Sequence, residues 1–200
     1  MALRIAALTV LLSTAVATGV EAHPHVFISN RMTVVFEHGV LKGMSFFWTF
    51  DQMFSAMILH DFKADAAGTF GPTVVDAIKS NDFDNLENYH YFLVFYEGKK
   101  QLAKIKIEQF TPSVTSDKKM VYSFFVPLDL PVTAAEQAVR VTVYDDSYFV
   151  AFDIMHVEDV TVAAGQDVSV GLSIEKEKVK PLWPGQYMPD QLVIRFREHS

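Results

Sequence analysis

Two histidines separated by one proline, His23 and His25, carry the clearest metal-binding chemistry in the sequence. If the chain is cut before His23, this residue offers an imidazole ring and a free α-amine, which titrates close to neutrality and can release its proton to a metal ion. His25 adds a second ring, and residues i and i+2 of an extended chain point to the same side. Pro24 favours an extended conformation at His23. The pattern therefore predicts a transition-metal chelate at the start of the mature chain.

Pro24 also limits the geometry of such a chelate. The amino-terminal copper and nickel site with histidine in third position needs deprotonated backbone nitrogens, and proline has no N–H to lose. The predicted ligands are therefore the amine and the two rings, completed by groups from elsewhere in the fold. Imidazole does not select one ion, so the predicted metal is Zn, Ni, Co or Cu. The alternative is that both histidines are only the polar beginning of a strand.

Three further residues are candidates for completing the metal shell: Asp51, His60 and Asp145. Asp51 lies between an aromatic strand and a helix, where it can cap the helix or provide a carboxylate ligand. His60 ends that helix, where a cation also suits the helix dipole. Asp145 lies between two strands, where a turn is the alternative role. Met53 and Met57, at helical spacing, are expected in the core rather than as thioether ligands.

The first 22 residues have the layout of a secretory signal. Arg4 gives a positive start, residues 5–12 are apolar, and Val20-Glu21-Ala22 precedes His23 with small residues at positions −3 and −1. The apolar run is shorter than the roughly 20 residues that a membrane span needs. We therefore expect cleavage before His23, export to the periplasm or otherwise out of the cytoplasm, and a mature protein that is not integral to the membrane. A cut after Ala17 and an uncleaved anchor are the alternatives.

The remaining pattern predicts a mainly β (α+β) fold, an antiparallel β-sandwich-like domain with a short helical insertion near residues 51–90. Short runs of alternating or β-branched residues, separated by turn residues, are typical of such sandwiches. The expected organisation is a signal peptide over residues 1–22, a β-rich domain over 23–175, and an extended segment over 176–200 with a possible last strand. Residues 91–96 and 102–108 are predicted to form one hairpin, because residues 104–108 alternate strictly.

Composition excludes several classes of function. The formal net charge is −7 and no Lys/Arg cluster is present, so nucleic acid is not an expected partner. The chain has no cysteine, so a metal site must use histidine, carboxylate, methionine or the amine. It has no Gly-x-Ser-x-Gly, no His-Glu-x-x-His, no phosphate loop and no dinucleotide fingerprint. We therefore do not expect a hydrolase or a nucleotide-dependent enzyme.

Three stretches resemble a bacterial family of unknown function that is described as the periplasmic component of an uncharacterised ABC-type transport system. They read AHPHV at residues 22–26, FWTFDQMFS at 47–55 and VYDDSYF at 143–149. The resemblance extends from His23 to about Phe152. It implies export and a link to transition-metal handling, because the family's genes often lie beside nickel/cobalt permeases of the efflux type.

The hypothesis from the sequence is a periplasmic transition-metal-binding protein that serves a metal transport or delivery system. Its expected partners are the metal ion and an inner-membrane metal permease. One alternative is a β-sandwich interaction module that docks onto a transporter and uses no metal. The other is a copper-dependent redox enzyme with an N-terminal histidine chelate.

Overall fold

Eleven strands in two sheets form the framework of residues 24–153, 155–176 and 189–199, which the computed structural model describes. Sheet 1 has the order β5-β6-β2-β1-β8, and β9 also pairs with β1. Its strands are β1 (Val26–Glu37), β2 (Val40–Phe50), β5 (Glu108–Val114), β6 (Met120–Pro131), β8 (Val150–Phe152) and β9 (Val160–Ala163). Sheet 2 has the order β10-β11-β7-β3-β4. Its strands are β3 (Leu93–Glu97), β4 (Lys100–Gln101), β7 (Gln137–Val143), β10 (Val168–Lys176) and β11 (Asp190–Glu198).

The hairpin of β1 and β2 shows how the sequence pattern becomes structure. Every second residue of β1 is buried from Val26 to Phe36, so one face of the strand enters the core. His38 and Gly39 alone connect the two strands, and both have positive φ, 50° and 69°. This is the primed turn whose twist matches that of the flanking strands. Gly39, which adopts positive φ without a steric penalty, is the local sequence signal for this turn.

A helical insertion follows β2. It contains α1 (Gln52–Asp61), α2 (Pro72–Ile78), a π-helical turn (Lys79–Phe83) and an irregular 3-10 segment (Asp84–Phe92). Asp51 caps α1, as the sequence predicts, and Pro72 opens α2, a position that suits proline because the first helical N–H has no partner in the helix. The Ser55 hydroxyl accepts a 2.9 Å hydrogen bond from the Met120 amide, which fixes α1 against β6.

Aromatic side chains join the two sheets. Phe46 of sheet 1 lies 6.2 Å from Phe95 of sheet 2, measured between ring centroids, and Phe36 lies 5.3 Å from Phe196. All of these rings are buried. The fold is therefore mainly β with a short helical insertion, as predicted. One feature departs from a purely antiparallel sandwich, because β8 and β9 run parallel to β1.

Two local predictions are wrong. Residues 102–107 form no strand, because the chain leaves sheet 2 after β4 and joins sheet 1 at β5, and Ile105 is buried along this crossing. Met53 and Met57 are 60% and 61% exposed, so they lie on the solvent side of α1 rather than in the core. Helical spacing identified one face of the helix, but it did not tell which face the sheet covers.

The ends of the chain bear on the predicted domain limits. The predicted signal segment 1–22 lies outside the described residues, as do residues 177–188. The last predicted strand is present as β11, which lies inside sheet 2 between β10 and β7. Leu192, Ile194 and Phe196 of this strand belong to the core. Among the helices of the described ranges, none is long and apolar enough to cross a bilayer.

Candidate functional site

Near the first residues of β1, one end of sheet 1 is surrounded by three of the predicted ligands: His25, Asp51 and Asp145. The Phe27 amide donates a 2.7 Å hydrogen bond to Oδ2 of Asp51. One residue away, Val26 pairs with Val150 of β8. The Val150 amide in turn donates a 2.9 Å hydrogen bond to Oδ2 of Asp145. Asp51 is therefore hydrogen-bonded to β1 itself, and Asp145 is hydrogen-bonded to β8, the strand that pairs with the start of β1.

Both oxygens of Asp51 are engaged by backbone amides. Oδ1 accepts from the Phe54 amide at 2.9 Å and caps α1, while Oδ2 accepts from Phe27. Burial by itself would raise the pKa of Asp51, but hydrogen bonds from the backbone amides of Phe27, Phe54 and Met53 outweigh it and hold that pKa below its usual value. The structural role that the sequence suggested for Asp51 is thus present.

Asp145 organises the loop between β7 and β8. It is only 8% exposed. Its oxygens accept hydrogen bonds from the Ser147 amide at 2.9 Å, from the Ser147 hydroxyl at 2.7 and 2.8 Å, and from the Val150 amide. Asp145 therefore has the turn role that the sequence suggested as an alternative. A metal ion would have to displace these hydrogen bonds in order to bind the carboxylate.

His25 is exposed beside this loop. Its amide donates a 2.9 Å hydrogen bond to the Phe149 carbonyl, and its ring lies 5.2 Å from the Phe149 ring. The chain bends at His25, and β1 begins only at Val26. Within the described ranges the imidazole nitrogens accept or donate no hydrogen bond. His23, the other half of the predicted chelate, lies outside the described residues.

His60 lies apart from these three residues. It stands nine positions after Asp51 along α1, about 14 Å at 1.5 Å per residue. Its side chain is 86% exposed, and Nδ1 is 2.8 Å from Oδ1 of the neighbouring Asp61. Met53 and Met57 share its side of the helix by their spacing. His60 therefore belongs to a different surface from His25.

No set of three or more His, Asp or Glu side chains within residues 24–153, 155–176 and 189–199 is arranged to hold a metal ion. The structure brings His25, Asp51 and Asp145 to one end of the sheet, but it uses the two carboxylates for backbone contacts. Among the described residues, the end of β1 therefore presents one accessible imidazole, that of His25, next to the ring of Phe149.

A cavity of about 570 Å³ lies beside this end of sheet 1, between the sheet, the helical insertion and the loop of Asp145. Its walls are largely aromatic and include Trp48, Phe50, Phe54, Tyr89, Phe92 and Phe149. Its volume falls in the range of small-molecule sites.

Two polar residues of this cavity, Asp82 and Tyr122, were not singled out from the sequence. Oδ2 of Asp82 and the hydroxyl of Tyr122 are buried and have no hydrogen-bond partner among the described residues. Burial, together with the charge of Asp61, raises the pKa of Asp82; burial and the charge of Asp82 raise the pKa of Tyr122. Asp82 stands in a polar, acidic connection whose local pattern carries no signal of burial.

Comparisons with known proteins place the chain in a family. The chain belongs to a family described as a protein of unknown function, DUF1007, whose profile matches residues 8–177. A relative from Haemophilus influenzae, described as an uncharacterized protein, is 27% identical over 144 residues, which cover 72% of this chain and 68% of the relative. The resemblance seen in the sequence is confirmed as membership of a family of unknown function.

Proposed function

We propose that the protein is an exported binding protein that holds a divalent transition-metal ion at its N-terminus, through His25 and, after removal of the leader, the ring and amine of His23. The observation that carries the proposal is that His25 has an accessible ring on a fixed backbone. Its ring is exposed and free of hydrogen bonds within the described ranges, while its backbone is fixed by the bond to the Phe149 carbonyl. A ligand held in place before the metal arrives loses less conformational entropy on binding.

The contacts around His25 exclude several nearby groups as ligands of the metal ion. Its amide already donates to Phe149, so this nitrogen is not available as a deprotonated ligand, in keeping with the exclusion that Pro24 makes. Asp51 and Asp145 are engaged by backbone amides, and we assign them positioning roles rather than ligand roles. A site of imidazoles and an amine favours copper, nickel, zinc or cobalt over calcium or magnesium.

The second part of the proposal is delivery of the ion to an inner-membrane metal permease from the periplasm. The support for it is the sequence resemblance described above together with the exposed position of His25, which leaves room for ligand exchange with a partner. Co-purification of the tagged protein with a candidate permease, in the presence and absence of the metal, tests this part separately.

Calorimetric titration with Zn²⁺, Ni²⁺, Co²⁺ and Cu²⁺ tests the metal site on a chain that begins at His23. Mass spectrometry first establishes that the preparation begins there. We expect one ion per chain and at least a tenfold loss of affinity in His25→Ala. A chain with one additional methionine before His23 keeps both rings but loses the chelating amine, and it should also bind at least tenfold more weakly.

His156→Ala is the matched control, because His156 is another exposed histidine of the described chain and lies outside this site. Its affinity should equal that of the parent. Equal binding by the parent and His25→Ala would contradict the proposal. Loss of binding in His60→Ala, with His25→Ala unaffected, would instead assign the ion to the surface of α1 that carries Met53 and Met57.

A further inference from the structure

The cavity beside sheet 1 combines aromatic walls with an acidic residue, Asp82. Trp48 and Phe50 of β2 and Tyr122 of β6 form its sheet side, and the helical insertion contributes Tyr89 and Phe92. Tyr89 is 56% exposed and Phe149 is 54% exposed, so aromatic edges also reach the surface at this site. An apolar body could therefore enter and be enclosed by rings.

Two polar atoms of residues that line the cavity have no hydrogen-bond partner among the described residues. Tyr122 is 2% exposed, yet its hydroxyl makes no hydrogen bond within the described ranges, and neither does Oδ2 of Asp82. A buried polar group without a partner costs roughly 1–3 kcal/mol, more when it is charged. Both residues line the cavity, so its wall has hydrogen-bonding capacity that the described residues do not use.

The charged residues that line the cavity are all acidic. Asp82 and Asp145 line the cavity, and no Lys, Arg or His of the described ranges does. Asp145 is already satisfied by Ser147 and Val150, which leaves Asp82 as the uncompensated carboxylate. The π-helical turn Lys79–Phe83 places it there, and such turns are frequent at functional sites.

We propose that this cavity binds a hydrophobic organic cation, an amine with an aromatic or bulky aliphatic body, whose ammonium group pairs with Asp82 and whose body packs against the aromatic walls. Aromatic faces attract ammonium groups, and a half-buried carboxylate with no cation among the lining residues attracts them more strongly. The ring of Tyr122, on the sheet side of the cavity, packs against the same ligand.

Other ligand classes fit these walls less well. A metal ion needs several oxygen, nitrogen or sulfur ligands, and no group of three or more His, Asp or Glu side chains among the described residues is arranged to hold one. A carboxylate or phosphate ligand would meet the charge of Asp82 with no cation on the lining to offset it. A neutral ligand gains from the walls but leaves the carboxylate without a counter-charge.

The site is separate from the one proposed at the N-terminus. His25 does not line the cavity, although it contacts Phe149 at its edge. His25→Ala is therefore expected to leave amine binding intact, and Asp82→Asn to leave metal binding intact. The two proposals can fail independently.

Titration with three amines and with matched analogues tests the inference. Benzylamine, 4-phenylbutylamine and 1-adamantylamine are added to the metal-free protein and followed by calorimetry and by the fluorescence of Trp48 in a Trp183→Phe background. We expect at least one amine to bind with one ligand per chain. For the phenylbutyl series, the alcohol should bind at least tenfold more weakly than the amine, and 4-phenylbutanoate more weakly still.

The variants assign the binding to Asp82. Asp82→Asn should remove the preference for the amine over the alcohol, with a melting temperature no lower than that of the parent. Asp84→Asn is the matched control, because Asp84 belongs to the same insertion but pairs with Lys79 at 2.5 Å and does not line the cavity. Leu86→Trp, at a lining position, should block all three amines by filling the space.

Failure of all three amines to bind would overturn the inference. So would equal affinity for the amine and the alcohol, or unchanged amine binding in both Asp82→Asn and Leu86→Trp. Should Asp82→Asn fold poorly, the Leu86→Trp variant and the amine-to-alcohol ratio in the parent still decide the question.

Discussion

The indole Nε1 of Trp48 donates a 3.1 Å hydrogen bond to Oδ1 of Asn30, its cross-strand neighbour on β1. Both side chains are buried. The Trp48 ring contacts Phe124 and Phe152 edge-on, at centroid distances of 4.8 and 5.3 Å. One polar pair thus orients the largest side chain of the core of sheet 1.

Replacing Asn30 with Ala should leave the indole N–H buried without a partner. We expect a loss of about 2 kcal/mol in the free energy of unfolding, the usual penalty for such a group. Urea unfolding followed by fluorescence measures it. Asn88→Ala, at an exposed position of the insertion, is the control and should change stability by less than about 0.5 kcal/mol. Equal effects of the two substitutions would contradict a special role for Asn30.

Gly43 should not tolerate even one methyl group. It has a φ of +152° at the irregularity of β2, and a Cβ there would lie 2.1 Å from the Val126 carbonyl oxygen. Because that neighbour is backbone, we expect Gly43→Ala to cost about 2–3 kcal/mol, as overpacking does. Gly171→Ala in β10 meets no atom within 4 Å and should be nearly neutral. Thermal unfolding of both variants decides whether the close approach exists.

His38 lies in the left-handed region at the first position of the β1–β2 turn, with a φ of 50°. Asparagine followed by glycine is the preferred pair in this turn type. His38→Asn should therefore raise the free energy of unfolding by about 0.5 kcal/mol, on the scale of other backbone-compatible substitutions. Chemical denaturation is the measurement, and His38→Val is the opposite control, since a β-branched residue is strained there. A stabilising His38→Val would show that the turn has another conformation.

Asp51 should make stability depend on pH in the acidic range. Although burial opposes it, the amides of Phe27, Phe54 and Met53 keep the pKa of Asp51 below its ordinary value in the folded chain. The ionised carboxylate therefore contributes its full stabilisation above about pH 4, the value for an unfolded aspartate, and this contribution is lost as the pH falls toward the lower folded-state pKa.

Urea unfolding of the parent and of Asp51→Asn between pH 3 and 7 measures this contribution. Asparagine can still cap α1, but it has a single acceptor oxygen for the amides of Phe27 and Phe54. The stability gap between the two proteins should be widest near neutrality and should narrow below pH 4. A gap that is constant across the range would mean that the charge of Asp51 is unimportant.

The features that sequence alone determined are those set by near neighbours. Alternation specified the buried face of β1, the pair His38-Gly39 specified its turn, and Asp51 specified the beginning of α1. Each depends on backbone geometry over a few residues, which local side-chain chemistry controls. The β-rich class followed from the sum of such signals.

The tertiary structure decided everything that depends on which surfaces meet. The strict alternation at residues 104–108 predicted a hairpin strand, but the chain crosses between sheets there because the partners of β4 and β5 lie in different sheets. Met53 and Met57 face solvent because the sheet covers the opposite side of α1. Asp82 and Tyr122 stand forty positions apart, and only the packing of the insertion on β6 brings both to one cavity. A local pattern contains no information about such distant contacts, so the cavity could be found only in the folded chain.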